Sequence, residues 1–565
     1  MNIIITLCVF AVIIFIVFLL GLRNEKNEER TFKNTIISEY SKAPADRLKS
    51  NRRGLLGYFN KHKKDYYVDD ITWNDLSMDD IFDRINYCES SSGEEYLYYL
   101  IRNPKISSKS LSELEDFERK VKAFEENEDL RLTYKRLFNK IGKNLKYSIY
   151  EYLEFLDKCQ AKSNAGHFAA LVIMVAAILS MIFVNFNIGF LVFILIIAFN
   201  VVSYFKEKAK IDPYLATFSY VCRLEKNALV IADESSEFFS LEKESLKKSS
   251  GNLNKFVKGS WILMSPSRMS GSGNPIDILM DYVRMVTHAD LIKFNSMIDA
   301  LKENIGSVDE LITVMGSIDA ALSIAYFRAS LQNGYCKPDL TDNDDKFSVS
   351  GAYHPLIEAP VPNNIETKRG VLITGSNASG KSTFLKTIAI NAIFAQSIYT
   401  SLSESYRSHM YRIYSSMALR DDLNYGDSYY MVEIKSLKRI LDAGDEKDNA
   451  PVLCFIDEVL RGTNTTERIA ASAKVLEHFA SSDVCCFAAT HDLELSKVLD
   501  KNYDIYHFEG VMENDDVVFD YKIKEGGAGA RNAIKLLKTI GYDESIVEEA
   551  EKMAVKFDET GEWTL

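Results

Sequence analysis

Residues 371–383, VLITGSNASGKST, decide the fold, because an apolar run leads directly into a glycine-rich loop. Residues 375–382 match the phosphate-binding pattern GxxxxGK[ST] at every position. The apolar run before the loop predicts a strand, and residues 384–395 after it predict a helix. Backbone N–H groups at such a junction can hold phosphate oxygens. Lys381 is therefore expected to reach the β- and γ-phosphates of a nucleotide, and the Ser382 hydroxyl to bind Mg²⁺.

Two further apolar runs end in polar residues that can complete such a site. Residues 452–456 precede Asp457 and Glu458, and residues 485–490 precede His491. A P-loop needs a second carboxylate on a neighbouring strand to hold its metal ion. Asp457 is therefore predicted to face the ion, Glu458 to activate the attacking water, and His491 to sense the γ-phosphate. The alternatives are an acidic turn for the carboxylates and a packed or surface residue for the histidine.

The arrangement of apolar runs changes near Phe347. From there, short β-type runs alternate with helical ones, which predicts an α/β domain with a mostly parallel sheet. Two more β-rich runs, 504–508 and 517–523, precede a last helix at 546–557. Residues 66–165 and 206–335 have apolar residues at helical spacing and contain no chemical motif, so they are interpreted as a helical scaffold.

The composition of the 565-residue chain limits the classes of protein that remain. With 67 Lys and Arg against 80 Asp and Glu, the net charge is −13, which argues against a protein coated in positive charge for nucleic acid. The 47% apolar and 12% aromatic content excludes a largely disordered chain. The eight cysteines are dispersed and form no CxxC pair. They predict reduced thiols rather than a zinc site or a disulfide framework, and no metal other than Mg²⁺.

Two uncharged apolar blocks predict three transmembrane helices. Residues 2–22 are long enough to span a bilayer and lack the cleavage pattern of a secretory signal, so they predict a retained anchor. Residues 168–205 are too long for one span and are interrupted at 185–187. They predict a membrane hairpin with helices near 168–184 and 188–205; the alternative is a buried soluble hairpin.

Lysine and arginine positions predict the orientation. From Arg23 to Lys64 there are 12 Lys and Arg against 5 Asp and Glu, and Lys206, Lys208 and Lys210 follow the hairpin. By the positive-inside rule both soluble parts are cytoplasmic, which makes this a multi-pass protein of the lipid bilayer with its ATPase domain in the cytoplasm. The basic stretch is interpreted as a solvated, topology-setting segment, with binding to anionic lipid as the alternative.

The three motifs together resemble the ATPase domain of the MutS family, the mismatch-repair relatives of ABC ATPases. Residues 375–383 (GSNASGKST) resemble GPNxxGKST, residues 457–465 (DEVLRGTNT) resemble DEIGRGTST, and residues 487–495 (FAATHDLEL) resemble FATHYxEL. The resemblance implies a P-loop ABC-type ATPase domain like MutS domain V, with ATP and Mg²⁺ as its cofactors. The residues expected to bind the nucleotide are Gly375, Ser376, Asn377, Ala378, Ser379, Gly380, Lys381, Ser382 and Thr383.

A fourth match bears on the assembly of the protein. Residues 421–433 (DDLNYGDSYYMVE) resemble the family's signature loop DDLxxGxSTFMVE, in which the serine closes the nucleotide site of the partner subunit. The resemblance therefore implies that Ser428 is catalytic in trans, alongside Lys381, Glu458 and His491 in cis. The expected active form is a homodimer with composite ATP sites. Tyr429 and Tyr430 replace the family's Thr-Phe.

The helical scaffold also resembles the MutS core and lever. The expected domains are a transmembrane helix (1–22), a basic juxtamembrane segment (23–65), core (66–166), hairpin (167–205), core and lever (206–340), ATPase (341–555) and a tail (556–565). Residues 22–66 leave no room for the family's mismatch-recognition and connector domains. No nuclease tail is expected, and the hairpin is expected to replace the DNA-gripping clamp.

Two functions follow from these patterns. The first is a membrane-anchored MutS-like ATPase that binds and hydrolyses ATP and binds DNA, with mismatched DNA as the family's substrate. The lysines at 243, 247, 248, 255 and 258 are candidate phosphate contacts, but they are interpreted in the first place as a solvated helix face. The second is an ABC-like mechanochemical membrane ATPase acting on a protein or lipid partner. A nucleotide-gated scaffold without turnover is disfavoured because Lys381 and Glu458 are both present.

Overall fold

The structure of the chain is a computed structural model. It describes residues 23, 27, 30–43, 52–143, 148–151, 163–234, 237–260, 275–342, 346–376, 379–417, 429–446, 449–460, 463–513, 516–527, 534 and 541–560. The predicted anchor at 2–22 and the predicted site residues Asn377, Ala378 and Ser428 lie outside these ranges.

The described chain forms two compact units. The helical unit contains the described residues within 1–62, 85–99 and 119–330. The second unit contains the described residues within 63–84, 100–118 and 331–565, and it is called the ATPase unit after the predicted domain that it contains. The helices in chain order are α1 (Arg52–His62), α2 (Asp70–Asp75), α3 (Met78–Ile85), α4 (Ser91–Arg102), α5 (Leu111–Glu126), α6 (Glu128–Ile141), α7 (Ala165–Phe183), α8 (Phe186–Asp233), α9 (Ser240–Val257), α10 (Pro275–Thr287), α11 (Ala289–Lys302), α12 (Ile305–Ala329), α13 (Lys381–Ser397), α14 (Tyr429–Gly444), α15 (Thr465–Ser481), α16 (Leu493–Val498) and α17 (Glu544–Thr560).

The helical unit is packed around α12. Its buried face includes Leu311, Met315 and Ile318, and Asp319 is fully buried beside the start of α4. Asp319 accepts hydrogen bonds from the backbone N–H of Ser90, at 2.9 Å, and from its hydroxyl, at 2.5 Å. A carboxylate at a helix N-terminus satisfies N–H groups that have no partner within the helix. This contact therefore fixes α4 against α12.

The predicted apolar hairpin forms helices α7 and α8, joined at Val184 and Asn185. The Asn185 carboxamide oxygen accepts hydrogen bonds from the N–H groups of Asn187 and Ile188, which starts α8. The second helix differs from the prediction, because it does not end near residue 205 but continues for 48 residues to Asp233. Residues at helical spacing continue from the apolar run into the scaffold, so this spacing does not show where the helix ends.

Three helices of the described chain are long and apolar enough to cross a membrane, judged by length and composition. They cover Ala165–Phe183, Phe186–Ala209 and Ile305–Ala329. The three helices differ in burial: the first two are 11% and 22% buried within the protein, and the third is 89% buried. The third is therefore the core helix α12. The apolar surface of α7 and α8 is instead exposed, as at Ile182, Phe183 and Phe199.

The ATPase unit contains the predicted parallel sheet. The strands in chain order are β1 (Asp339–Leu340), β2 (Phe347–Ala352), β3 (Asn363–Thr367), β4 (Gly370–Thr374), β5 (Ser405–Ser408), β6 (Arg412–Ser416), β7 (Val452–Asp457), β8 (Val484–Thr490), β9 (Tyr503–His507), β10 (Gly510–Glu513), β11 (Asp516–Phe519) and β12 (Lys524–Glu525). Six of them pair in the order β12-β9-β4-β8-β7-β6, and only β12 is antiparallel to its neighbour. The β-rich run predicted at 517–523 is a strand only as far as Phe519.

The core of this unit lies between the sheet and its flanking helices. Leu372 and Ile456 from the strands pack in one apolar cluster with Ile440 of α14 and with Leu476 and Phe479 of α15. A second sheet, in the order β1-β5-β2-β3, was not predicted; three of its strands come before the P-loop strand in the chain, and β5 comes after helix α13. Because β8 lies between β4 and β7, the carboxyl ends of the three strands predicted to carry the site meet at one edge.

Candidate nucleotide-binding site

The first half of the phosphate-binding loop is held by tight backbone contacts. Gly375 has φ +144°, and a Cβ atom there would lie 2.5 Å from the carbonyl oxygen of Phe508. Only glycine fits such a position without strain. The Lys381 ammonium donates hydrogen bonds to the carbonyl oxygens of Gly375 and Ser376, both at 2.7 Å. These two hydrogen bonds hold the loop against the Lys381 side chain.

The second half of the loop leads into helix α13. Gly380 caps the helix with φ +106°, and a Cβ atom there would lie 3.2 Å from the ring of Tyr521. Lys381 and Ser379 are both buried. Among the described residues, the Ser379 hydroxyl oxygen is buried without a hydrogen-bond partner. A buried hydroxyl at a helix N-terminus is suited to a phosphate oxygen, so the loop fits the anionic part of a nucleotide.

The predicted carboxylates lie at the end of β7. Asp457 is the last residue of the strand and is buried, and Glu458 follows in the left-handed region with φ +56°. A non-glycine residue in this region costs of order 1–3 kcal/mol and needs support from its surroundings. That support comes from the Glu458 N–H, which donates to Ala489 O at 2.9 Å, and from the Leu460 N–H, which donates to the buried Glu433 carboxylate.

His491 lies beside Glu458 at the end of β8. Its Nδ1 atom is 3.6 Å from Glu458 Oε2, and its Nε2 atom is 3.8 Å from Asp492 Oδ1. The hydrogen-bonding contact with Glu458, followed by the charges of Glu458 and Asp492, raises the pKa of His491. Arg468 of α15 donates two hydrogen bonds to Asp492, at 2.9 and 2.7 Å. This fork positions the loop that carries His491.

A cavity of about 600 Å³ opens between the P-loop and the strands on either side of it. It brings together the predicted residues Ser379, Gly380, Lys381, Ser382, Thr383 and Glu458. The rest of its wall was not predicted: it includes Tyr353, His354, Val361, Phe508 and Tyr521. A cavity that is anion-binding at one end and apolar or aromatic at the other suits a nucleotide, whose phosphates and base have these two characters.

His354 lies in the unpredicted part of this wall. Burial, with a smaller contribution from Lys386, lowers the pKa of His354 to about 4. The imidazole is therefore neutral at physiological pH and can present a ring face and one N–H to a ligand. The pair His354-Pro355 was visible in the sequence, but nothing in its local pattern places it opposite the P-loop.

The residues at the meeting point of β4, β7 and β8 fit Mg²⁺ as well as a nucleotide. Ser382 has a hydroxyl at the start of α13, and Asp457 has a carboxylate at the end of β7, the oxygen ligands that Mg²⁺ prefers. When bound, the ion would supply charge neutralisation for the phosphates. Glu458 and His491 lie 3.6 Å apart, immediately after the ends of β7 and β8.

Comparison with known proteins shows similarity over the part of the chain that contains this site. Residues 371–558 match the family model of MutS domain V. The chain is 30% identical over 272 residues to the DNA mismatch repair protein MutS of Pseudothermotoga lettingae, which is 46% of this chain and 33% of that protein. It is 30% identical over 279 residues to the MutS of Clostridium botulinum strain Loch Maree, covering 29% of that protein.

The match has a defined extent. The chain covers about a third of the length of these curated relatives. The matched family segment begins in β4, includes the P-loop, β7, β8 and His491, and ends within α17. Residues 371–558 are therefore similar to MutS domain V, and the chain is similar to curated MutS proteins over 46% of its own length.

Proposed function

We propose that the protein is a membrane-anchored ATPase that binds and hydrolyses ATP with Mg²⁺. The observation that carries the proposal is the cavity that joins Lys381 and Ser382 of the P-loop to Glu458. Lys381 binds the phosphates, Ser382 and Asp457 hold the ion, and Glu458 takes the proton of the attacking water. His491, beside Glu458, senses the γ-phosphate and orients the carboxylate.

Membrane anchoring rests on the exposed apolar helices. The windows in α7 and α8 have mean hydropathies of 2.3 and 2.5, and only 11% and 22% of them is buried within the described part of the chain. Large apolar side chains exposed over two such helices are unstable in water, whereas a bilayer buries them. The hairpin crosses the membrane, the predicted anchor at 2–22 adds a third span, and the ATPase unit lies in the cytoplasm.

DNA and a second copy of the chain are the proposed partners. The relatives are named as DNA mismatch repair proteins. By the family resemblance of residues 421–433, Ser428 completes the site of a partner subunit, so the active form is a homodimer. The chain matches about a third of the length of those relatives.

The first test is the ATPase rate of the purified full-length protein in detergent. The rate is measured alone, with perfect duplex and with mismatched duplex, and Lys381→Ala gives the background. Turnover that depends on Lys381 supports the ATPase, and DNA stimulation that fades as salt rises supports phosphate contacts. Turnover equal to that of Lys381→Ala contradicts the proposed enzyme.

One observation favours a second function, a mechanochemical ATPase that acts through the membrane. Helix α8 continues without a break from the apolar hairpin to Asp233 of the helical unit. At 1.5 Å per residue its 48 residues extend for about 72 Å, so the span and the scaffold move as one rod. An ATPase rate indifferent to every DNA but dependent on bilayer lipid would favour this function over DNA handling.

A further inference from the structure

Helix α10 exposes apolar side chains and buries a charged one. Leu279, Tyr282 and Val283 are 50%, 62% and 44% exposed, whereas Arg284 is only 3% exposed. The Arg284 guanidinium is paired with Asp281 at 2.8 Å on the protein side. A helix of a water-soluble protein buries its apolar stripe and exposes its charges. Helix α10 does the opposite.

The exposed residues form one continuous stripe. Positions 279, 282, 283 and 286 are spaced i, i+3, i+4 and i+7, and therefore lie within about 100° of arc on the helix. Val286 at the end of the stripe is half-buried, and Tyr282 lies near its centre. An apolar face of this kind needs a cover that is not supplied by the described part of the chain.

The position of α10 along the hairpin indicates what buries its apolar stripe. The Asn200 amide of α8 donates to Val286 O at 2.9 Å, and His288 Nε2 donates to Asn200 O at 2.8 Å. Asn200 is itself buried and lies within the apolar window Phe186–Ala209. The C-terminal end of α10 is therefore fixed to a point inside the proposed span.

The depth of that point agrees with the edge of a bilayer. Asn200 is 15 residues from the turn at Asn185, which is about 22 Å along α8. In a hydrocarbon layer about 30 Å thick, this puts Asn200 about 8 Å inside its cytoplasmic boundary. Helices that lie in the interface bury their apolar face about 5–10 Å deep, and tyrosine is enriched at this level.

A second contact fixes the hinge between α10 and α11 to the hairpin. His288 has φ +56° between the two helices, and its Nδ1 atom lies 2.9 Å from His167 Nδ1 at the start of α7. The buried Tyr204 hydroxyl donates to the buried Asp290 carboxylate at 2.8 Å. Polar contacts thus hold the base of the hairpin on the protein side and leave the stripe facing outward.

We infer that α10 is a further membrane-binding element, an interfacial helix whose apolar stripe inserts into the cytoplasmic leaflet beside the hairpin. The inference rests on the proposed membrane anchoring and adds a surface that the sequence assigned to the scaffold. The occupant is the bilayer, because the hydrogen bond from Asn200 to Val286 O fixes the end of the stripe to the exposed apolar window of α8.

Photo-crosslinking from three aromatic positions tests the inference. The photoreactive residue p-benzoylphenylalanine replaces Tyr282, Phe199 or Phe238, one at a time, in the full-length protein in phospholipid vesicles. All three side chains are exposed, so the replacements do not disturb a core. Phe199 faces outward from the proposed span. Phe238 lies beyond the far end of α8, and from Phe199 to Asp233 alone is about 51 Å.

The expected result is a lipid adduct at position 282, detected as a mass increase, with a yield of at least a third of that at position 199. Position 238 should give at least tenfold less. A lipid adduct at position 199 but not at 282 overturns the inference and leaves the anchoring intact. A protein adduct from position 282, within the chain or between two copies, also overturns it. Without lipid adducts at either position, the proposed anchoring itself fails.

Discussion

Glu458 and His491 face each other across the ends of two adjacent parallel strands, with Glu458 Oε2 3.6 Å from His491 Nδ1. The strand register brings them together, because Asp457 pairs with Ala489 and the Glu458 N–H donates to that residue's carbonyl oxygen. Glu458 is thereby held with its side chain at the P-loop cavity. Because the two side chains are in contact, each should affect the function of the other, and replacing either residue tests this.

Replacing Glu458 by glutamine should separate ATP binding from ATP hydrolysis. The amide keeps the size of the side chain but cannot accept a proton, so we expect kcat to fall by about 10²–10⁴-fold with nucleotide affinity within threefold of the wild type. Steady-state phosphate release and binding of a fluorescent ATP analogue measure the two. Glu477→Gln, an exposed glutamate of α15 on the same unit, is the matched control. Unchanged turnover in Glu458→Gln would remove the assigned general base.

Replacing His491 by glutamine should change the shape of the pH–rate profile. Because Glu458 raises the pKa of His491 above its ordinary 6.5, the imidazolium already forms at pH values above 6.5. The charged ring holds the carboxylate in an ion pair, so wild-type kcat should decrease as the pH falls through this raised pKa. In His491→Gln this decrease in kcat should be absent. Only the decrease caused by protonation of carboxylates at lower pH should remain. The profile is measured from pH 5.5 to 9, and an identical acid limb in both proteins would contradict the coupling.

Replacing Gly375 by alanine should weaken nucleotide binding through the backbone. The added Cβ would lie 2.5 Å from the Phe508 carbonyl oxygen at a φ of +144°, and the strain of order 1–3 kcal/mol must move the loop or that carbonyl. ATP affinity is expected to fall at least tenfold. Gly527→Ala is the control, since its nearest neighbour would be 3.6 Å away. Equal affinities for the two variants in equilibrium binding would show that the loop tolerates a side chain.

The elements that were predicted correctly depend on neighbours close in sequence. The run VLIT before the loop is β4, and Val452–Asp457 and Val484–Thr490 are the strands expected from their apolar content. Parallel strands between helices then force their carboxyl ends to one edge. The positions of Lys381, Glu458 and His491 at one site follow from this rule, whereas their chemical roles stay predictions.

The rest of the cavity depends on contacts across long stretches of chain. Tyr521 reaches the P-loop because Asn363 of β3 donates a hydrogen bond to its carbonyl oxygen at 3.0 Å, over a separation of 158 residues. No local pattern encodes this pairing. The helical spacing of apolar residues over 206–335 predicted helices such as α10, but spacing alone cannot tell whether the apolar side of a helix faces the protein or the solvent. Burial decides that question, as it does for α12.

The Arg468–Asp492 pair should stabilise the ATPase unit. Asp492 is 8% exposed, so removing Arg468 leaves a carboxylate with little solvent and without its two charged donors. Arg468→Ala is expected to lower the free energy of unfolding of this unit by about 2–4 kcal/mol. The double variant Arg468→Ala/Asp492→Ala should recover part of the loss. Thermal unfolding in detergent measures both, and additive losses would show that the two residues are not coupled.

Glu95 should make the helical unit less stable as the pH rises. Burial raises the pKa of Glu95 to about 8 from 4.5, while its Oε2 atom accepts hydrogen bonds from Ser148 Oγ and Tyr58 N. The folded unit therefore holds a proton that the unfolded chain releases between these pH values. Stability should fall across this window by at most about 1.4 kcal/mol per pH unit, and the fall should end above pH 8.

Thermal unfolding of Glu95→Gln from pH 5 to 9 checks this slope. Glutamine keeps an oxygen for the two donors and does not titrate, so the variant should lose the part of the slope due to Glu95. Asp319, whose pKa burial raises to about 6, titrates in both proteins, and the difference between them therefore isolates Glu95. Glu244→Gln, at an exposed position of α9 in the same unit, should keep the wild-type slope. A Glu95→Gln protein with the wild-type slope would mean that the Glu95 carboxyl is ionised in the folded state.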